Sequence, residues 1–198
     1  MTTVSKRILE HAAQLPEGTP LSAKELLHLG SRAAVDQALS RLVSREKLMR
    51  VSRGIYVRPI EGRFGVRAPS TSKVVEEYAR LKGETITSHG AAAANALGLT
   101  TQVPARMVYL TSGPSRKLTV GSQTVELRHA PRSQLALSGS SAGNVIRVLA
   151  WLGPSHASET LRKIKPKLTE AELREIALAR RFVPAWMAKE VSEIVVNG

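Results

Sequence analysis

The chain of 198 residues contains no cysteine and only one aspartate, Asp36. Without cysteine it cannot form disulfides, use a thiol nucleophile or bind zinc through thiolates, and this composition fits a reducing compartment. A single aspartate provides little for the clustered carboxylates with which metal-dependent nucleases and nucleotidyltransferases hold cations. No segment approaches the roughly 20 apolar residues of a membrane span, and the first residues lack the apolar run of a signal peptide. We therefore expect a cytoplasmic protein that does not enter a membrane.

Other signals for catalysis are weak, and each has a structural explanation. Ser88 and His89 are adjacent, but neighbours in sequence seldom face each other, and Ser88 has a sufficient role as a helix N-cap. The segment SGSSAGN, residues 138–144, lacks the P-loop pattern, so we expect it to start a helix, with an anion site as the alternative. The five histidines lie far apart and lack a metal-ligand spacing. We expect no enzymatic activity, no cofactor and no metal.

What the chain has in excess is positive charge. It carries 29 lysines and arginines against 16 acidic residues, which gives a formal net charge of +13 and a pI near 10.7. Such a protein attracts polyanions at physiological pH, and the attraction weakens as salt rises. Nucleic acid is therefore the leading class of partner.

The first 60 residues have the pattern of a winged helix-turn-helix domain. Apolar spacing predicts a helix over residues 3–14, and LSAKELLHLG predicts a short second helix with Ser22 as N-cap and Glu25 at the capping-box position. Ser31 is placed to cap a third helix, whose apolar stripe runs from residue 35 to residue 43. Two β-prone runs, residues 48–51 and 55–57, flank Gly54, which can supply the positive φ of a tight hairpin. The third helix would enter a DNA groove and the hairpin would be the wing.

The exposed face of the third helix and the hairpin carry candidate DNA contacts. Arg32 and Arg41 have the side chain that pairs with guanine, and Gln37 has the one that pairs with adenine. Arg50 and Arg53 on the hairpin can reach phosphates. Residues 31–67 contain nine basic and three acidic side chains. The alternatives are an ordinary solvated helix and hairpin, or a winged helix that binds protein.

The remaining two-thirds predict a mixed α/β domain that ends in helices, so the fold class is α+β. Proline, glycine and arginine in RPIEGRFGVRAPST place a linker at residues 61–70, and the C-terminal domain occupies residues 71–198. We expect helices over residues 71–81 and 88–97, three strands between residues 105 and 130, and helices near 141–152, 156–164, 169–179 and 184–196. Trp186 and Met187 are expected in a core, with a partner-binding surface as the alternative. The basic run RKIKPK, residues 162–167, is either a solvated loop or a polyanion contact.

The order of these segments resembles the AbiEi-type antitoxins of bacterial type IV toxin-antitoxin and abortive-infection (phage-defence) systems. The resemblance lies in LSAKELLHLGSRAAVDQALSRLVSREKLMRVSRGIYVRP, then TITSHGAAAANALGLTTQVPARMVYLTSG and RKLTVGSQTVELRHAP, and spans roughly residues 6–131. It implies a winged-helix repressor that binds inverted repeats in its own promoter and a C-terminal antitoxin domain. The toxin in such pairs is nucleotidyltransferase-like and need not form a stable complex with the antitoxin. Matched by position to the helix-turn-helix and wing of that family, six residues of this chain are implied to contact DNA: Ser31, Arg32, Gln37, Arg41, Arg50 and Arg53.

Two functions remain open on this sequence. One is an antitoxin that represses its own operon; the other is a stand-alone winged-helix regulator whose C-terminal domain senses a ligand or dimerises. Both need the same N-terminal chemistry. A nucleotidyltransferase-like protein encoded next door would favour the antitoxin.

Overall fold

The computed structural model describes residues 3–63, 65–102 and 104–196. The chain begins with helix α1 (Val4–Gln14), followed by strand β1 (Leu21–Ser22), a 3₁₀ helix (Glu25–Leu29) and helix α2 (Arg32–Ser44). Strands β2 (Met49–Ser52) and β3 (Ile55–Val57) form a hairpin. β3 lies in the middle of a three-stranded antiparallel sheet of order β1-β3-β2. The predictions of the first and third helices and of the hairpin are confirmed.

One apolar core holds these elements together. It joins Ile8 of α1, Leu26 and Leu29 of the 3₁₀ helix, and Val35 and Leu39 of α2, all buried. These positions recur at the helical spacing that predicted the stripes. Burial of each such side chain contributes about 1.5–3 kcal/mol, so the core fixes the direction in which the polar face of α2 points.

The second predicted helix is wrong in type and extent. Ser22 lies in β1 rather than at an N-cap, because Leu21 and Ser22 pair with Tyr56 and Ile55 of β3. The Glu25 carboxylate still accepts a hydrogen bond from the Ser22 N–H at 3.2 Å, as the capping-box spacing suggested. The sheet takes the first residues of the segment, so the rest forms only the 3₁₀ helix.

A second hairpin replaces the irregular linker expected at residues 61–70. Strands β4 (Ile60–Gly62) and β5 (Gly65–Arg67) pair antiparallel, with Ile60 opposite Arg67. Helix α3 (Thr71–Lys82) follows, as predicted, and ends at Gly83 in the left-handed conformation.

Strand β6 (Ile86–Ser88) and helix α4 (Gly90–Ala96) come next. Strands β7 (Met107–Thr111), β8 (Arg116–Val120) and β9 (Gln123–His129) match the three predicted strands, and the sheet order is β6-β7-β9-β8. Ser88 was expected to cap the following helix, but it lies in β6 opposite Tyr109 of β7. The cap is His89, whose side chain accepts a hydrogen bond from the Ala91 N–H at 3.3 Å.

The C-terminal part is helical: α5 (Arg132–Leu135), α6 (Ser141–Leu152), α7 (Ala157–Ile164), α8 (Glu170–Ala179) and α9 (Ala185–Val196). Ser140 caps α6 through the Gly143 N–H at 3.1 Å, which confirms that SGSSAGN starts a helix. Met187 is buried in the same apolar cluster as residues of α6, α7 and α8, and Trp186 packs against it. The expectation that these residues belong to a core is confirmed for Met187, and Trp186 is partly buried against that core.

The described residues divide into two compact units. One contains those up to Glu84 together with Lys117–Val125, and the other contains Thr85–Arg116 together with those from Glu126 onward. Residues 71–84, assigned from sequence to the C-terminal domain, thus group with the first unit. The mixture of helices and small sheets confirms the α+β class. None of the helices in the described ranges has the length and apolar character needed to cross a membrane.

Candidate nucleic-acid interface

Helix α2 has one buried and one exposed face. Ser31 caps it, since its hydroxyl accepts a hydrogen bond from the Ala34 N–H at 3.3 Å. The buried positions lie one turn apart, which leaves the opposite face to solvent. That face presents the residues predicted to contact bases, and all are exposed: Arg32, Gln37 and Arg41. A helix with this exposed face has the diameter that a major groove admits.

The three predicted base contacts differ in their surroundings. The Arg32 Nε donates to the Asp36 carboxylate at 2.8 Å, and both side chains are more than half exposed. Such an exposed i,i+4 pair stabilises a helix by about 0.3–0.5 kcal/mol, so Arg32 must exchange this partner before it can bind a base. Gln37 and Arg41 have no side-chain partner among the described residues. Arg41 is therefore the better placed of the two arginines on α2.

The hairpin β2-β3 presents its two predicted contacts on one short projection. Arg50 lies opposite Tyr56, and the pair Ser52 and Ile55 closes the hairpin, so only Arg53 and Gly54 form the turn. Gly54 has φ +74°, a backbone conformation that other residues adopt at a cost. Arg50 and Arg53 are both exposed. The glycine therefore makes the sharp turn that places Arg53 at the tip.

The second hairpin, β4-β5, lies beside this surface and was missed as an element from the sequence. Val66 of β5, Arg50 of β2 and Val43 of α2 line one cavity of about 430 Å³. The Lys47 ammonium also lies 3.4 Å from the Glu61 carboxylate of β4. The sequence did not predict these two strands because proline, glycine and arginine are frequent in this segment, and such a composition is typical of linkers. The hairpin adds further exposed arginines next to the predicted contacts.

The segment of residues 31–67, which includes α2 and both hairpins, carries a large excess of positive charge. All nine of its basic residues are exposed, and two of its three acidic residues are paired, Asp36 with Arg32 and Glu61 with Lys47. Of the eight arginines in residues 31–67, Arg32 pairs with Asp36 and Arg67 donates to the Ala68 carbonyl oxygen. The guanidinium groups of the other six have no ion-pair or hydrogen-bond partner among the described residues: Arg41, Arg45, Arg50, Arg53, Arg58 and Arg63. Guanidinium groups that are exposed and unpaired can bind phosphates without first breaking an internal bond.

Ser88 and His89 do not form a nucleophile and base pair. The Ser88 hydroxyl donates to the Asn144 side-chain oxygen at 3.3 Å, while His89 Nδ1 accepts the Ala91 N–H. Burial, with the nearby Arg128 as a second cause, lowers the pKa of His89. A neutral ring is the form that can accept this hydrogen bond, so the lowered pKa and the capping role agree.

The basic run at residues 162–167 makes contacts within its own unit. Lys163 lies 2.7 Å from the Glu159 carboxylate. The Lys167 ammonium donates to the carbonyl oxygens of Leu97 and Gly98, at 3.2 and 3.1 Å, and so satisfies the end of α4. Among the described residues, no group of three or more histidine, aspartate or glutamate side chains is arranged to hold a metal ion.

Comparison with known proteins gives a family but not an activity. No curated protein and no solved structure matches the chain. A family of unknown function, DUF6088, matches residues 7–176, which include α2, both hairpins and most of the C-terminal helices. The match covers far more than half of the sequence. The chain therefore belongs to the DUF6088 family.

Proposed function

We propose that this protein is a DNA-binding antitoxin of the type IV class, which represses its own operon and counteracts a nucleotidyltransferase-like toxin. The DNA-binding part rests on one observation: six exposed arginines without internal partners surround α2 and the two hairpins. DNA carries one negative charge per about 1.7 Å of its axis, so a surface of this kind gains free energy from phosphate contacts and counterion release.

The order of elements in the first unit supports a winged helix. A helix, a short strand, a second helical segment, a third helix and a hairpin follow one another, and the sheet order β1-β3-β2 is the one expected when the short strand pairs with the hairpin. In this arrangement α2 is the recognition helix and β2-β3 is the wing. Gln37 and Arg41 would read base edges, and Arg50 and Arg53 would bind phosphates.

The antitoxin part rests on the resemblance of the segments quoted above to AbiEi-type proteins. Its alternative, a stand-alone regulator, shares the DNA-binding surface and differs in the role of the second unit. Co-expression with the neighbouring nucleotidyltransferase-like protein separates them, because only an antitoxin restores growth. The co-expression uses the full chain. A fragment that begins at residue 69, near the expected domain boundary, would cut through the first compact unit, to which residues 71–84 belong.

DNA binding is tested by mobility shift on the chain's own promoter at several salt concentrations. Arg41→Ala is expected to weaken binding to that promoter by about 1–3 kcal/mol, the value of one good base contact. Arg53→Ala is expected to weaken binding to all sequences and to lower the salt slope by about one. Arg174→Ala, an exposed arginine of α8 paired with Glu170, is the matched control. If neither Arg41→Ala nor Arg53→Ala alters binding, the assignment of this surface to DNA binding is refuted.

A further inference from the structure

The second compact unit contains an apolar pocket that none of the proposed DNA-contact residues line. Its volume is about 760 Å³. It lies between the segment from His129 to Leu137, which includes α5, and the end of α8 with the 3₁₀ turn that follows. Pockets of about 300–1,000 Å³ with mainly apolar walls are those in which proteins hold small organic ligands.

The floor of the pocket is part of a core, whereas its outer wall is exposed. Ala130 and Leu135 are buried together with Leu110 in a small apolar cluster. Leu178 and Phe182 are 62% and 53% exposed, and both line the pocket. Adjacent apolar side chains exposed beside a concave surface are typical of ligand-binding grooves and interaction sites. A ligand would cover these two side chains.

The rim of the pocket is cationic. Arg132 and Arg181 line it, and no acidic side chain does so among the described residues. The Arg181 guanidinium carbon lies 5.2 Å from the centre of the Phe182 ring, so a positive charge sits directly at the apolar wall. Arg132 has no ion-pair partner in the described ranges. The pocket thus joins an apolar interior to two guanidinium groups at its mouth.

A strained residue holds one wall in place. Leu137 lines the pocket with φ +53°, a conformation that costs a leucine free energy and is enriched at functional sites. Its carbonyl oxygen accepts hydrogen bonds from the Ser140 N–H and hydroxyl, at 3.2 and 3.1 Å. The same oxygen would lie 2.0 Å from a Cβ on Gly143, so only glycine allows this approach. The wall is therefore fixed by α6 rather than by a mobile loop.

We propose that this pocket binds a small amphipathic anion, an organic carboxylate whose apolar body lies in the interior. The carboxylate would lie between Arg132 and Arg181, and the chain would cover Leu178 and Phe182. Charge complementarity selects the anion, and the limited volume selects a small molecule over a protein segment. This inference is independent of DNA binding and of the toxin.

Isothermal titration of the full-length chain with decanoate, decylammonium and 1-decanol tests the proposal, each ligand below the concentration at which it aggregates. Decanoate is expected to bind one molecule per chain and at least about tenfold more tightly than decylammonium. The double change Arg132→Gln and Arg181→Gln is expected to weaken decanoate about tenfold and to leave decanol unchanged. Leu178→Gln is expected to weaken the binding of both decanoate and decanol.

All three altered positions are exposed, so the variants are expected to fold, and circular dichroism checks this. Arg174→Gln on α8 is the control, because this arginine pairs with Glu170 and does not line the pocket. Equal binding of decanoate to the wild type and the double variant would overturn the proposal. So would the absence of one-to-one decanoate binding, or tight binding of an acidic leucine-rich peptide in its place.

Discussion

The replacement of Arg147 by methionine is expected to stabilise the protein. Arg147 lies in α6 and is only 2% exposed. Its Nη2 donates to the Asn144 side-chain oxygen at 2.7 Å, but Nε and Nη1 are buried without a partner among the described residues. A buried guanidinium with one neutral hydrogen bond and no carboxylate is a costly arrangement, because the charge has lost its hydration.

The size of the effect follows from two opposing contributions. Burial lowers the pKa of Arg147 to about 10. Each tenfold change in an acid dissociation constant is worth about 1.4 kcal/mol, so this depression corresponds to roughly 3 kcal/mol of unfavourable free energy at neutral pH. Methionine is unbranched like the arginine stem and carries no charge. The substitution loses the hydrogen bond to Asn144 and leaves some space unfilled, and these two losses cost about 1–2 kcal/mol. The net stabilisation is about 1–2 kcal/mol, or a few degrees in Tm.

Urea unfolding followed by tryptophan fluorescence measures this effect in the right place. Both tryptophans of the chain, Trp151 and Trp186, belong to the second unit, as Arg147 does. Arg147→Lys is the control: it keeps the buried charge but not the geometry of the guanidinium, so it is expected to destabilise. A loss of about 1 kcal/mol or more on Arg147→Met would contradict the reasoning and would show that the guanidinium has an anionic partner in solution.

Three further changes act on α4 and α8. Gly90→Ala places a Cβ 2.3 Å from the Trp151 Cβ, so it is expected to cost about 1–3 kcal/mol in urea unfolding although alanine is the better helix former. The lowered pKa of His89 means that the unfolded chain binds a proton first as pH falls below about 6.5. The free energy of unfolding is therefore expected to fall as pH is lowered from about 6.5 to the lower pKa that His89 has in the folded protein. His89→Asn keeps a helix cap and is expected to reduce that loss, as measured by thermal melts. Thr169→Ala removes the capping box with Glu172 and is expected to lower the free energy of unfolding by about 1 kcal/mol.

Local patterns predicted the elements whose signals lie within a few residues. Ser31, the stripe of α2 and Gly54 each act through neighbours in sequence, and the structure has the helix, its cap and the turn as expected. The short segment at Leu21 and Ser22 was misassigned because its partner is Tyr56, more than 30 residues away. A pairing over that distance leaves no mark on the local hydrophobic period.

The predicted site residues are exposed and share the first unit, but their side-chain partners were not readable from the sequence. The Arg32 and Asp36 ion pair uses a helical spacing that is visible in the sequence, so this contact could have been found. The position of β5 beside Arg50 could not, because it depends on how the chain returns after β4. The apolar pocket brings together segments more than 40 residues apart and was likewise beyond any local pattern.

The short turn of the first hairpin bears on how many copies of the protein the proposed DNA binding would need. Only Arg53 and Gly54 lie beyond the last strand pair, so in the proposed mode of DNA binding the bases would be read by α2, whose 13 residues are about 20 Å long. That length spans about six base-pair steps. A given run of six base pairs recurs by chance about once in 4,000 positions, whereas twelve recur about once in 17 million, which is comparable to a bacterial genome's supply of competing sites. In the proposed mode of binding, a single copy of this interface would match many sites by chance, so we expect two copies bound side by side at a unique chromosomal site.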